Sequence, residues 1–362
     1  MTPTPGAVSP IATLLALPGK IAYAVLGLIG VTPAAGTTPP ISPAPIVQLV
    51  WAAFREFENF MGLDAPLVNQ PVMPTETFTG SLTTATPTVA QLLDAATAEY
   101  VLGGTPGGLT PLTVNGFPMT YTNDFSGAAA KVWVTPQNQI IIAYSGTTGG
   151  TNLLFNPLIA ISQAIADYQA GFTDTTPQAF TDSLTFAQKV QAAAAAQGYD
   201  PNDVFVTGHS LGGWEAEYVS QQIGLRGIGF ESPGLHTTVP GNGADTLFVN
   251  VETYGDVAAY TSSDIPGMQP FAPAYVPAGG SDPHYGPIVM LGDPSSQTPL
   301  TNASALWGTS LFGDLIFAIT SLGNFLQYHL PSVQAYSLDV TADPSLLPGT
   351  GTYAGPIYTG FG

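Results

Sequence analysis

The sequence predicts an α/β fold with a mostly parallel central sheet flanked by helices. Two observations support this prediction. Short runs rich in β-branched and aromatic residues alternate with segments of helical periodicity through the middle of the chain. In addition, 45% of the 362 residues are hydrophobic, which is enough for a substantial core. Because strands that alternate with helices form right-handed βαβ units, consecutive strands should run parallel.

Residues 1–75 are predicted to form a separate, apolar and Pro-rich arm. Its clearest element is a helix over residues 46–61, whose apolar residues recur at helical spacing: Val47, Val50, Trp51, Phe54 and Phe57. We expect this helix to dock on the main domain, with membrane binding as the alternative. The polar stretch 74–88 is interpreted as a linker, so the α/β domain should span residues 76–362.

The beginning of the chain resembles a secretion signal only loosely. Lys20 precedes the apolar run 21–31 and the small-residue stretch 32–36, but the earlier run 11–17 is already apolar and has no preceding charge. We therefore favour an apolar segment that packs on the main domain or on a partner. The scarcity of charged residues and the richness in Thr, Ala, Gly and Pro favour a secreted or cell-surface protein.

Within the main domain the predicted elements follow one another in a regular order. Five short apolar runs are predicted to be strands: 131–134, 140–144, 204–207, 227–230 and 246–252. Two helices are predicted: 183–197, and Leu211 to about Ile223. The first two strands form a hairpin around the turn 136–138. The first helix is expected to be capped by Asp182 or Ser183 and to end at Gly198.

The charge balance excludes several classes of partner and site. A formal net charge of −19, with only five scattered Lys and Arg against 24 Asp and Glu, excludes nucleic-acid binding and disfavours an anionic membrane surface. Neutral, apolar substrates need no cations and stay compatible with this composition. Because the chain has no cysteine, disulfides, thiolate catalysis and cysteine zinc sites are excluded.

Residues 208–212 match the G-x-S-x-G pattern of a nucleophile elbow, with Ser210 at its centre. A predicted strand runs directly into this pentapeptide and a predicted helix leaves it, which is the context that the motif requires. A serine at such a turn projects above a helix N-terminus, where the dipole favours developing negative charge. The backbone N–H of Leu211 points into the same space. The alternative is a glycine-rich strand-to-helix turn without catalysis.

The stretch Gly-His-Ser-Leu-Gly-Gly at 208–213 resembles the elbow of the class 3 lipases, the fungal-type triacylglycerol lipase family. Residues 140–147 resemble the strand of that family that ends in R-G-T or R-G-S, although Ser145 stands where the arginine is usual. Residues 228–234 and 248–257 resemble its next strand and its triad-acid segment. The resemblance covers about residues 125–340 and implies an α/β-hydrolase fold, with Thr147 and Leu211 in the oxyanion hole.

Asp256 is the predicted triad acid. α/β-Hydrolases carry their triad in the order serine, acid, histidine, and Asp256 follows a predicted strand C-terminal to Ser210. Asp245 and Asp264 lie on the flanking loops and are the alternatives.

His329 is the predicted general base. The chain has four histidines, of which His209 is interpreted as structural and His236 breaks the expected order. That leaves His284 and His329. The segment around His329 looks like the late histidine of the lipase family, whereas His284 resembles a packing or substrate-shaping residue. His209 and His284 are both possible site-lining residues.

Together these residues predict a serine carboxylic-ester hydrolase, a lipase or esterase that acts on apolar acyl esters through an acyl-enzyme. Residues 149–165 occupy the position of the lipase lid and are apolar, although an ordinary buried helix is an equal alternative, and the apolar stretch 306–326 is a second possible cover. The expected partners are an ester or lipid substrate and a lipid interface. No metal or organic cofactor is expected, because the histidines form no close-spaced ligand cluster. The alternative functions are a polyesterase of the cutinase type and a non-catalytic cell-surface module.

Overall fold

The fold is built on a mixed sheet of eight strands, seen in a computed structural model of the chain. The structure describes residues 86–99, 106, 108–147, 176–236, 248–277, 279–329 and 331–338, without the side chains of residues 326, 332 and 336. The predicted N-terminal arm at 1–75, its helix at 46–61 and the predicted lid at 149–165 lie outside these residues.

The strands of the described residues are named in chain order. They are β1 (Thr110–Pro111), β2 (Thr113–Val114), β3 (Phe117–Pro118), β4 (Thr120–Thr122), β5 (Ala129–Val134), β6 (Ile140–Tyr144), β7 (Val204–His209), β8 (Arg226–Phe230), β9 (Phe248–Thr253) and β10 (Ile288–Leu291).

The helices are named in the same way. They are α1 (Val89–Ala98), α2 (Gln178–Ala196), α3 (Leu211–Ile223), α4 (Thr298–Ser304), α5 (Leu311–Tyr328) and α6 (Pro331–Ser337), with short 3-10 turns at Pro201–Asp203 and Pro294–Gln297.

The strand order confirms a mostly parallel sheet flanked by helices. The order is β1-β5-β6-β7-β8-β9-β10, with β4 beside β5, and every neighbour from β6 to β10 is parallel. The predicted hairpin is the antiparallel pair β5–β6, whose turn contains Asn138 at φ 61°. Since the carboxyl ends of parallel strands meet at one edge, residues that follow β6, β7, β8 and β9 come together there.

The two faces of the sheet are covered by different helices. In β6, Ile140, Ile142 and Tyr144 point to the face that α2 and α3 cover, whereas Ile141 and Ala143 point to the face that α1 and α6 cover. This alternation follows from the two-residue period of a strand. Because both faces are buried, β6 is apolar throughout, as expected of a central parallel strand.

Two helices begin where the sequence did not predict. The helix α2 starts at Gln178, so Asp182 and Ser183 lie inside it and neither caps it. The Asp182 carboxylate instead accepts hydrogen bonds from Ser126 Oγ at 2.6 Å and Asn123 Nδ2 at 2.8 Å, and Ser183 Oγ donates to Glu215 at 2.8 Å. The helix α1, which the sequence did not predict, directly follows the predicted linker and begins with a capping box between Thr88 and Gln91.

The segment after β10 builds a smaller layer of its own. The helices α4 and α5 pack against residues 257–272 through a third apolar cluster that includes Tyr260, Met268, Leu300 and Phe317. The outer side of α5 is exposed and apolar. Among the described residues, no helix is both long and apolar enough to cross a bilayer.

Candidate active site

Ser210 lies at the turn between β7 and α3, at the carboxyl edge of the sheet. Its backbone has φ 60° and ψ −128°, a region that residues with side chains rarely occupy. The Ser210 N–H donates to the Phe230 carbonyl at 2.9 Å, and the Trp214 N–H donates to the Ser210 carbonyl at 3.0 Å. The turn is therefore tied to β8 on one side and to the first turn of α3 on the other.

Glycines are required on both sides of Ser210 because α3 packs very close to the sheet. A Cβ on Gly208 would lie 2.1 Å from the Gly212 carbonyl oxygen, and a Cβ on Gly212 would lie 2.2 Å from the Tyr144 carbonyl oxygen. Both contacts are with backbone atoms and cannot be relieved by a change of rotamer. The G-x-S-x-G spacing thus has a steric cause in this fold.

His329 and Asp256 are brought together from the end of α5 and the loop after β9. His329 Nδ1 lies 2.9 Å from Asp256 Oδ2, and both side chains are buried. His329 Nε2 is also buried and has no hydrogen-bond partner among the described residues. An imidazole held in this way by a carboxylate keeps its proton on Nδ1, so Nε2 is able to accept one.

The helix α5 holds the loop that carries Asp256. Gly255 has φ +92°, and a Cβ there would lie 2.9 Å from the ring of Tyr328, so only glycine fits. Asn324 Nδ2 donates to the Gly255 carbonyl at 2.9 Å, and the Asp256 N–H donates to the Thr253 carbonyl at 3.0 Å. One helix therefore positions both the predicted acid and the predicted base.

His209 connects this pair to the nucleophile turn. Its Nε2 lies 2.6 Å from the His329 carbonyl oxygen and must donate to it, because a carbonyl only accepts. Burial, followed by the proximity of His329, lowers the pKa of His209 to about 3, so this ring is neutral. The residue before Ser210 thus fixes the backbone of His329, a contact that the sequence did not predict.

Phe325 packs on the imidazole of His329. The two rings are stacked with centroids 4.1 Å apart and an angle of 26° between their planes. Phe325 precedes His329 by four residues at the end of α5, the spacing at which helical side chains meet, so the sequence contained a signal for this contact.

The ionisation of Asp256 is set by opposing effects. Burial alone would raise its pKa, but the charge of His329 and the hydrogen bond to it, followed by a hydrogen bond with Glu231, hold the pKa below its usual range. Asp256 is therefore the charged acid of the pair.

Glu231 is a buried carboxyl group beside Asp256 that the sequence did not single out. It follows β8 with φ 52°, and its carboxyl accepts hydrogen bonds from the Thr253 N–H at 3.1 Å and from Thr253 Oγ1. One ligand atom each from Glu231, Asp256 and His329 lie within 4.8 Å of one another, the separation found in metal sites. Because His329 already bonds to Asp256, and Glu231 to Thr253, we interpret the group as a proton-sharing cluster.

His284 and Asp264, the alternatives for the base and the acid, pair with each other. His284 Nδ1 lies 2.8 Å from Asp264 Oδ1, and His284 Nε2 lies 2.8 Å from the Ser232 carbonyl oxygen. Burial opposes the charge on His284, but Asp264 and then the buried Glu252 and Glu217 raise its pKa to about 10. With both ring nitrogens occupied, His284 is not available as a base. Asp245 lies outside the described residues.

Thr147 follows the strand next to that of Ser210, and Leu211 directly follows Ser210 in the chain. Tyr144 at the end of β6 pairs with Gly208 in β7, so Thr147 follows its strand at the same edge as Ser210. Thr147 is half-buried, and Leu211 is the buried first residue of α3. Both residues predicted for an oxyanion hole therefore lie at the same edge of the sheet as Ser210.

Comparisons with known proteins assign this chain to no family. No family model and no curated protein matches the chain. Among solved structures, the chain is similar to the extracellular lipase LipA from Serratia marcescens, at 19% identity and a TM-score of 0.37. The match covers 62% of this chain and spans 38% of the length of that lipase.

Proposed function

We propose that the protein is a serine carboxylic-ester hydrolase of the α/β-hydrolase type, related to the class 3 lipases, with Ser210 as nucleophile, His329 as base and Asp256 as acid. One observation carries the proposal. The imidazole of His329 is bonded to Asp256 through Nδ1, keeps Nε2 without a partner among the described residues, and is anchored by His209 beside a strained serine turn.

In this mechanism His329 Nε2 takes the hydroxyl proton of Ser210 as the oxygen attacks the ester carbonyl. Asp256 stabilises the imidazolium that forms. The N–H of Leu211 and the backbone and hydroxyl of Thr147 donate to the oxyanion, where the loss of one donor typically lowers the rate by about 10²–10³. His329 then protonates the leaving alkoxide, and water hydrolyses the acyl-enzyme by the same steps in reverse.

The exposed face of α5 supports an apolar substrate. Six apolar side chains of this helix are exposed, by between 40% and 90%: Leu311, Phe312, Leu315, Ile319, Leu322 and Phe325. Phe325 belongs to this face and also stacks on His329, so the face is continuous with the proposed base. A helix with a large exposed apolar face is suited to a lipid interface. With a net charge of −19, the protein should prefer neutral or zwitterionic lipids.

The proposal is tested by hydrolysis of p-nitrophenyl esters from acetate to palmitate by the purified protein. Ser210→Ala and His329→Ala should each abolish turnover, whereas Ser281→Ala and His236→Ala, which change the same residue types where both bond to Asp282, should not. An optimum at long acyl chains indicates a lipase, and turnover of a polyester film indicates a polyesterase. If the wild type hydrolyses no ester, the protein is a non-catalytic module and the proposal is wrong.

A further inference from the structure

Glu231 and Asp256 are two carboxyl groups enclosed in one buried space. Both side chains are fully buried, and one oxygen of each lies within 4.8 Å of the other and of a ring nitrogen of His329. Glu252, a third buried carboxyl group, contacts the residue after Glu231, because its Oε1 accepts from the Ser232 N–H at 3.1 Å. Adjacent buried carboxyl groups cannot all be ionised, since like charges in a dry site repel strongly.

The hydrogen bonds show which group should keep a proton. Asp256 bonds His329 through Oδ2, but its Oδ1 is buried with no partner of good geometry among the described residues. The Glu231 carboxyl accepts from both the N–H and the hydroxyl of Thr253 and still has room for a proton of its own. A proton on Glu231 would supply Oδ1 with a side-chain donor, in addition to the Ala258 N–H that approaches the Asp256 carboxylate.

Glu231 has a strained backbone conformation. A φ of 52° is uncommon for a residue other than glycine, asparagine or aspartate, and strained residues of this kind concentrate at functional sites. The preceding residue, Phe230, accepts the N–H of Ser210, so the two positive-φ residues Ser210 and Glu231 lie at the ends of adjacent strands.

We propose that Glu231 is a positioning residue of the site, which stays protonated and donates a hydrogen bond to Asp256, so that a single carboxylate faces His329. This inference rests on the proposed function. It adds a fourth member behind the triad, one that touches neither the substrate nor the reacting atoms.

The electrostatics agree with this geometry. Burial first, and then the charges of Asp256 and Glu252, raise the pKa of Glu231 well above its usual range, against the smaller opposing effect of Thr253. Among the described residues, the other titratable groups near this carboxyl are His329 and the phenol of Tyr260. The fixed proton of Glu231 keeps the negative charge on Asp256, where it stabilises the imidazolium.

The test compares Glu231→Gln with Glu231→Leu. Glutamine is neutral at every pH and can donate an N–H to Asp256 while it accepts from Thr253, so it should rescue the site. Leucine removes the side-chain donor to Asp256 that we propose, which should lower kcat by about 5- to 100-fold. Glu99→Gln, which changes a buried acid next to α1 that pairs with Lys131, is the matched control and should leave kcat unchanged.

The pH profile of kcat/KM separates positioning from a mere packing role. If Glu231 is protonated, Glu231→Gln removes no charge, and the acid limb should stay where it is in the wild type. If Glu231 is ionised, the same change removes a negative charge next to His329 and moves the acid limb down by about two pH units. That shift, or a Glu231→Leu variant with wild-type kcat, would overturn the proposal.

Infrared spectroscopy gives a result that does not depend on turnover. At pH 8.5, where Glu99 with its pKa of about 7 is ionised, the difference spectrum of wild type minus Glu231→Gln should contain a protonated-carboxyl stretch that the difference spectrum of wild type minus Glu99→Gln lacks. Bands of other protonated carboxyl groups cancel in each difference. Absence of the stretch from the Glu231→Gln difference would overturn the assignment, even if Glu231→Leu does not fold. If the stretch is present but the wild type hydrolyses no ester, the proposed function fails while the protonation of Glu231 stands.

Discussion

Asp256→Asn is the change whose effect the site geometry determines most closely. In the wild type, Asp256 Oδ2 accepts from His329 Nδ1 at 2.9 Å, and an oxygen of the Glu231 carboxyl lies within 4.8 Å of the Asp256 carboxylate. An amide has one accepting and one donating end. With a protonated Glu231 as a donor, the oxygen of the new amide would face Glu231 and its N–H would face His329. The imidazole would then have to accept through Nδ1.

This reversal places the imidazole proton on Nε2, which can no longer accept the proton of Ser210. A wrong tautomer together with the loss of the charge that stabilises the imidazolium lowers kcat by about 10⁴ in serine hydrolases. We expect a loss of that size for Asp256→Asn, with the fold intact by circular dichroism, since the substitution conserves shape.

The assay is kcat on the best p-nitrophenyl ester, with Ser210→Ala as the floor. Asp264→Asn is the matched control, because Asp264 pairs with His284 in the same kind of buried contact at 2.8 Å. That variant should lose stability but keep kcat within about tenfold of the wild type. A larger loss of kcat in Asp264→Asn than in Asp256→Asn would refute the assignment of the acid.

The folded protein should lose stability as the pH rises from 6.5 to 8. Burial raises the pKa of Glu217 from 4.5 to about 8. Burial alone would lower the pKa of His284, but Asp264 raises it from 6.5 to about 10. Between pH 6.5 and 8, therefore, only the folded state holds these two protons. Each such proton lowers the free energy of unfolding by about 1.4 kcal/mol per pH unit, measurable by urea denaturation. Leu315→Gln with Ile319→Gln should weaken binding to zwitterionic vesicles about tenfold or more in a flotation assay. Gly212→Ala should destabilise the fold by about 1–3 kcal/mol and abolish turnover.

Each of these predictions has a control variant or a result that would contradict it. Glu217→Gln should reduce the dependence of the unfolding free energy on pH by the contribution of one proton, and an unchanged dependence would mean that Glu217 is ionised in the folded state. If the Leu315→Gln, Ile319→Gln double variant binds vesicles as well as the wild type, α5 does not contact the lipid. Gly323→Ala is the counterpart of Gly212→Ala, because a Cβ there meets nothing within 4 Å. It should therefore leave stability unchanged or higher.

The parts of the fold that local sequence determines were predictable. The strand 140–144 and the helix from Leu211 to Ile223 have the predicted bounds, since their apolar runs and turn residues act over a few positions. The strand-to-helix turn at 208–212 was predictable for the same reason, because its glycines are needed where the backbone packs closely within a few residues. The start of α2 was mispredicted because Asp182 bonds to Ser126 across 56 residues instead of capping its own helix.

The parts of the site that depend on distant contacts were not predictable in this way. The bond between His209 and the carbonyl of His329 joins residues 120 apart. The pairing of His284 with Asp264 likewise depends on how two loops meet at the sheet edge. The role of Glu231 depends on a positive φ and on its burial beside Asp256, neither of which a single sequence reveals. Residue types suggest candidates for such a site, but only packing decides which of them share a proton.

The most direct test of the central claim is covalent labelling by a fluorophosphonate, followed by intact-mass and peptide analysis. We predict one phosphonyl group per chain, attached to Ser210, absent from Ser210→Ala and strongly slowed in His329→Ala and Asp256→Asn. Labelling at another serine, or none in a folded wild-type protein, would contradict the assignment of Ser210 as an activated nucleophile.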